Sequence, residues 1–181
     1  MSQPSIETAR LILRPFRPTD AQAVQALAGE RAIADTTMNI PHPYEDGMAE
    51  EWIAGREVAY KEGTAVTLAM VLRDDGSLIG AIGLTVDRRS NKGELGYWVG
   101  KPFWNRGYAT EAASALVAFA FEELRLNRIH AKHFARNPSS GRVMEKVGML
   151  VEGTARQDMM KWGKYEDSVS YGVLRDDWLD I

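Results

Sequence analysis

The sequence predicts a mixed α/β domain in which one sheet is layered with helices, and three observations predict it. Apolar and β-branched runs at 66–72 and 78–86 are joined by Asp74-Asp75-Gly76-Ser77, which is hairpin chemistry. Residues 107–123 form a helix that is apolar nearly all round, through Ala112, Ala113, Leu116, Val117, Phe119, Ala120 and Phe121, and such a helix belongs inside, against a sheet. Strand and helix patterns then alternate, 129–135 followed by 138–147, and no internal repeat or low-complexity tract interrupts them.

In chain order, residues 9–14 alternate and predict a first strand, ended by Pro15 and Pro18. Thr19 and Asp20 cap a helix over 20–29. Asp46 and Gly47 precede a second helical stretch in which Trp52, Ile53 and Val58 are read as one apolar face. After the hairpin, Asn91-Lys92-Gly93 marks a turn into a strand at 94–99. Two terminal strands near 150–160 and 166–174 flank Trp162-Gly163-Lys164.

Composition bounds the function without selecting it. A chain of 181 residues is one domain by length and can bury a real core. Charged residues at 26% and hydrophobic ones at 45% are globular usage, not disorder. A net charge of −3 gives no electrostatic footprint for nucleic acid or anionic membrane, so neither is an expected partner. With no cysteine there is no disulfide, thiolate metal site or cysteine nucleophile. His42, His130 and His133 lack metal-ligand spacing, so no metal is expected, and His130 and His133 read as structural or exposed. The start Met1-Ser2-Gln3-Pro4-Ser5 has no secretory pattern and no run is long enough to span a bilayer, so the expected location is cytoplasmic.

The stretch Trp104-Asn105-Arg106-Gly107-Tyr108-Ala109-Thr110-Glu111-Ala112 enters the long helix through a glycine. Helix starts leave N–H groups unpaired and carry partial positive charge, which suits an anion. Gly107 lets backbone approach a bulky ligand, Ala109, Ala112 and Ala113 keep the first turns thin, and Arg106 adds a cation. A buried helix that needs small residues to pack is the equal alternative for these residues alone. A second segment, Asn137-Pro138-Ser139-Ser140-Gly141-Arg142-Val143-Met144-Glu145-Lys146-Val147-Gly148-Met149, reads as a capped helix closed by glycine.

Taken with Thr8-Ala9-Arg10-Leu11-Ile12-Leu13-Arg14 and Gly93-Glu94-Leu95-Gly96-Tyr97-Trp98-Val99, these segments resemble, in order, the GNAT superfamily of N-acetyltransferases. Its members move an acetyl group from acetyl-coenzyme A to an amine, and the chain is most similar to the Rim-type branch of ribosomal-protein N-terminal acetyltransferases. The resemblance implies a single domain over 1–181 with a core near 8–176. It implies a mostly antiparallel sheet of about seven strands flanked by about four helices.

It also implies a site. Backbone amides from Arg106 through Gly107, Tyr108, Ala109 and Thr110 hold the pyrophosphate; Trp104 stands where the superfamily usually has Gln or Arg, as in the Rim-type branch. The pantetheine arm pairs with strand 94–99, where a local irregularity near Gly96 frees N–H groups around Trp98 and Val99 for the thioester oxyanion. Packing room for Tyr97 or Trp98 is the other reading of Gly96. Glu94 is the candidate general base, directly or through water; an ion pair with Lys92 or Arg88 is its alternative. Met144 stands where many members place a proton-donating tyrosine, so Ser140 is the candidate partner of the leaving sulfur, with a helix-start cap as its structural reading. Asn137 fixes the pantetheine or its loop, and Arg142 reaches a phosphate or is simply solvated. His42 and Tyr44, on the rigid loop from Ile40, and Tyr97 are expected at the acceptor. The acceptor is expected to be a protein N-terminal α-amine. A small amine such as a polyamine, amino acid or antibiotic, or a non-catalytic acyl-CoA sensor, are the alternatives, and a homodimer is compatible with each.

Overall fold

A computed structural model describes residues 3–179, so Met1 and Ser2 of the leader reading and Asp180 and Ile181 of the predicted domain lie outside the described residues. Among the described residues eight strands form one sheet: β1 (Ile6–Glu7), β2 (Leu11–Arg14), β3 (Ala65–Leu72), β4 (Leu78–Asp87), β5 (Lys92–Val99), β6 (Arg128–Phe134), β7 (Leu150–Lys161) and β8 (Lys164–Leu174). Their order is β1-β2-β3-β4-β5-β6-β8-β7, and every pairing is antiparallel except β5 with β6. Six α-helices accompany it: α1 (Ala21–Ala28), α2 (Arg31–Thr36), α3 (Met48–Lys61), α4 (Tyr108–Glu122), α5 (Pro138–Lys146) and α6 (Arg175–Leu179). The expected fold class holds, with β1, α2 and α6 added; each is too short to leave a periodic signature.

Two clusters of buried side chains cover the two faces of the sheet. α4 buries Ala112, Ala113, Leu116, Val117, Ala120 and Phe121 on one face, as its composition predicts. α1 and α3 cover part of the other, with Ala49, Ile53 and Val24 against Ala69, Val71 and Leu78. Val58 is 55% exposed and leaves the predicted stripe. At 100° per residue, 49, 52, 53 and 60 share a face and 58 points away. Asp20 precedes α1, but its carboxylate accepts from Arg17 N–H at 2.7 Å and from both terminal nitrogens of Arg14 rather than from α1 amides.

The functionally decisive feature is where pairing stops. β5 and β6 are in register only from Lys92–Arg128 to Glu94–His130. Beyond Glu94 the two strands diverge, while β5 remains paired with β4 from Lys92 to Val99 with no register shift. The expected irregularity in β5 is therefore absent, and the shift lies one strand away, at Met70/Val71 of β3 against β4. A Cβ on Gly96 would meet nothing within 4 Å, so Gly96 faces open space rather than making room for a neighbour.

Candidate active site

Divergence of β5 from β6 leaves one backbone edge open inside the sheet. Gly100 N–H donates to Ile79 O at 2.8 Å, and Val86 N–H donates away from β5 to Thr64 O at 2.7 Å. Antiparallel alternation then points the backbone groups of Glu94, Gly96 and Trp98 at β4 and those of Leu95, Tyr97 and Val99 into the gap. Of the two expected oxyanion donors, Val99 N–H is the one that faces the gap, and Trp98 N–H belongs to the ladder. The Val99 carbonyl is already taken by Trp104 Nε1 at 2.6 Å, which gives Trp104 a structural role.

The gap opens into a groove of about 390 Å³ lined by Trp98, Val99, Gly107, Tyr108, Ala109, Thr110, Asn137, Ser140 and Arg142. Gly107 caps α4 at φ +79°, a left-handed conformation that glycine adopts without strain. The first intrahelical bond from an N–H of α4 is Glu111 to Gly107 O at 3.0 Å, so the amides of Tyr108, Ala109 and Thr110 are left for a ligand. Arg142 lines this groove and donates to Ser139 Oγ at 2.8 Å. Arg106 does not line it; its carbonyl is turned outward.

What turns that carbonyl is a clamp the sequence reading did not assign. Arg10 Nη1 donates to Arg106 O at 2.9 Å, and Arg10 Nε and its backbone N–H each donate to Glu111 at 2.7 Å. Thr8 Oγ1 joins at 2.7 Å, and the guanidinium lies 4.6 Å from the Tyr108 ring centroid. In a trans peptide the C=O and the following N–H point opposite ways, so holding the Arg106 carbonyl turns Gly107 N–H toward the groove. Burial pushes the Glu111 carboxyl up, but the bonds from Thr8 and Arg10 outweigh it and hold the group below its usual range, ionised and turned away from the anion site. Replacing Arg10 with alanine is expected to raise the KM for acetyl-CoA about tenfold with kcat within about threefold, since a charge-assisted bond is worth roughly 1.5–3 kcal/mol. Steady-state kinetics at saturating acceptor checks this, and an unchanged KM would show that the clamp is structural only.

A second cleft, also about 390 Å³, lies on the α1–α3 side of the sheet. Its floor is the row of Thr67, Gly83, Thr85, Glu94 and Gly96, which β3, β4 and β5 bring to one face. Its roof is Thr36 to Ile40, held by Lys161 Nζ on the Met38 and Ile40 carbonyls at 3.3 and 3.2 Å and by Arg136 on Asp35. Neither His42 nor Tyr44 lines this cleft. His42 Nδ1 lies 3.1 Å from Gly29 O, and Tyr44 packs into the α1–α3 cluster. The loop therefore contributes its first residue, Ile40, in place of the pair expected at the acceptor.

The two cavities share Thr36, Thr37, Tyr97, Trp98 and Ser140. At that junction the Tyr97 phenol donates to both the carbonyl and the Oγ of Ser140 at 3.1 Å. Burial pushes Tyr97 up to about 12, so it stays protonated. The single phenol proton is shared between the Ser140 carbonyl and Oγ, which tethers the serine hydroxyl beside the junction. Asn137, not Ser140, occupies the cap of α5, so the capping reading of Ser140 is not what the fold uses. Gly141 sets the approach: a Cβ there would lie 2.8 Å from Tyr171 Oη and 2.9 Å from His133 Nε2.

Glu94 lines the second cleft and makes no ion pair among the described residues, so neither Lys92 nor Arg88 holds it. Its register neighbour His130 is held below the ordinary imidazole range by burial, which Glu94 opposes. His133 is buried, with Nδ1 2.7 Å from Phe134 O.

Comparison with known proteins agrees with this geometry. The acetyltransferase (GNAT) domain family matches residues 10–150. The chain belongs to the GNAT acetyltransferases. The uncharacterized N-acetyltransferase YnaD of Bacillus subtilis is 33% identical over 96% of this chain and 98% of its own length. YdaF of the same organism, provisionally named a ribosomal N-acetyltransferase, is 41% identical over 58% of this chain and 57% of its own. The structure of RimL, a ribosomal L7/L12 α-N-protein acetyltransferase in complex with coenzyme A, superposes with a TM-score of 0.88 at 17% identity, covering 96% and 99% of the two chains, and shares the fold. This GNAT chain is thus an acetyl-CoA-dependent acyltransferase. No helix among the described residues is long and apolar enough to cross a membrane.

Proposed function

We propose that the chain acetylates a primary amine by direct attack on acetyl-CoA in a ternary complex, with a protein N-terminal α-amine of the ribosomal-protein type as acceptor. The observation that carries this is the junction: two cavities on opposite faces of the sheet meet at Tyr97, Trp98 and Ser140, so amine and thioester can touch without a relay. The absence of cysteine removes the usual acyl-enzyme nucleophile, and Ser140 has no imidazole hydrogen-bonded to it to serve as base.

In this reading Val99 N–H stabilises the developing oxyanion, Glu94, five residues earlier on β5, accepts the amine proton through intervening water, and Ser140 hydrogen-bonds the departing sulfur. Full proton transfer from Ser140, refilled by Tyr97, is disfavoured. A phenol near 12 against a thiol near 8.5 makes that transfer uphill by roughly 4–5 kcal/mol. Hydrogen bonding without transfer suffices, because a thiolate is a tolerable leaving group near neutrality. Asn137 and Arg142, with the α4 amides, hold the coenzyme. The provisional name of YdaF supports the ribosomal acceptor.

A thiol-release assay with acetyl-CoA and a panel of peptides with free N-termini, amino acids and polyamines tests the proposal. Turnover is expected with α-amines. Failure of every acceptor despite tight coenzyme binding would favour a sensor, and turnover of small amines alone would move the acceptor assignment to that class.

A further inference from the structure

The wall of the acceptor cleft carries a cation that no carboxylate among the described residues neutralises. α3 places Trp52 and Arg56 one turn apart above the floor. Arg56 Nε donates to the Trp52 carbonyl at 2.9 Å and the guanidinium carbon lies 4.9 Å from the Trp52 ring centroid, so the side chain is fixed along one flank. Its two terminal nitrogens have no hydrogen-bond acceptor and no carboxylate within 4 Å among the described residues. The group is only partly exposed, and burial pulls it below the ordinary guanidinium range, as expected for a cation short of solvent and counter-charge.

The other charges of the cleft sharpen this. Lys132 is 3.5 Å from Asp158 and so is compensated. Glu94 is the one carboxylate of the lining. The cleft thus offers an acidic end at β5 and a basic wall at α3, which packs on β3. From Glu94 the floor crosses Thr85 to Ala65. Two strand spacings of this kind span about 10 Å.

We propose that Arg56 is an anion subsite of the acceptor cleft, and that the amine acetylated also carries a carboxylate. The inference rests on the acetyltransferase reading above and narrows its acceptor to free amino acids or peptide N-termini with a nearby acidic group. A planar guanidinium fork with both terminal nitrogens unpaired matches a carboxylate bidentately. A polyamine brings no carboxylate and sets further positive charge against Arg56, so it is the acceptor class the cleft disfavours.

Matched acceptors that differ only in the carboxylate test it by thiol release: an amino acid against its carboxamide, and an amidated peptide with Glu at its second position against the same peptide with Gln, with spermidine alongside. The carboxylate member of at least one pair is expected to have a KM lower by about tenfold at similar kcat, a difference of ~1.4 kcal/mol. The pair that responds tells free amino acids from peptides. Arg56→Gln is expected to erase the difference while the KM for acetyl-CoA stays unchanged, and Arg56→Lys to restore part of it. Equal use of both members by the wild-type enzyme, a preference for spermidine, or a preference that survives in Arg56→Gln would overturn the subsite while leaving acetyl transfer standing. Absence of turnover with every acceptor would instead overturn the enzymatic reading and this inference with it.

Discussion

Replacing Ser140 with alanine is expected to lower kcat about a hundredfold while the KM for acetyl-CoA stays within about twofold, the size of effect seen when one donor to a developing charge is removed. The reason is geometric. Ser140 lies where the two cavities meet, in the proposed reading those of the coenzyme and the acceptor, and its Oγ stands 3.1 Å from the Tyr97 phenol. Thermal stability is expected to hold, because Ser140 lies inside α5 rather than at its N-cap and Tyr97 keeps its bond to the Ser140 carbonyl at 3.1 Å. A variant with lowered melting temperature and intact kcat would refute the catalytic role. Tyr97→Phe is the companion: losing the donor that orients Ser140 is expected to cost a smaller part of the same kcat.

Glu94→Gln is expected to cut turnover about a hundredfold at neutral pH, within the range for general-base catalysis, and to recover as pH rises. The sign follows from the acceptor. Attack needs the neutral amine, and a group with a reference pKa of about 7.7–8.0 is mostly neutral by about pH 9 without a base. A lysine-type acceptor near 10.4 would show no recovery until far higher pH, so the position of the rescue also reports which amine is used. Kinetics from pH 6.5 to pH 9.5 decide the matter, and a variant profile parallel to that of the wild type would remove Glu94 from proton transfer. The residue is available for the role because it lines the cleft without an ion-pair partner among the described residues.

Much of the site was legible in the residues. The glycine at the start of α4 needs its left-handed φ of +79°, and the small side chains that follow can be read directly as a thin first turn. Of the residues the motifs single out, Glu94 lines one cavity, Val99 the other, and Ser140 both. The clamp from Thr8 and Arg10 to Glu111 was not readable, because its partners are about a hundred residues apart and no periodicity links them. His42 and Tyr44 were misplaced for a related reason: a loop announces its rigidity through Pro41 and Pro43, but not which of its residues faces inward. Trp98 and Val99 could not be ranked as donors until alternation across β4 and β5 gave each backbone N–H a side.

The sequence by itself determined the order and type of the long elements, the buried character of α4 and the chemistry available at each motif, since periodicity, glycine placement and side-chain type are local properties. Only the tertiary structure decided where β5 and β6 part, that the opening receives the backbone N–H of Tyr97 and Val99 rather than that of Trp98, and that Arg56 stands beside the second cleft without a counter-charge among the described residues. Those facts depend on register and on packing between segments distant in the chain, where a shift of one residue exchanges what is buried for what is exposed.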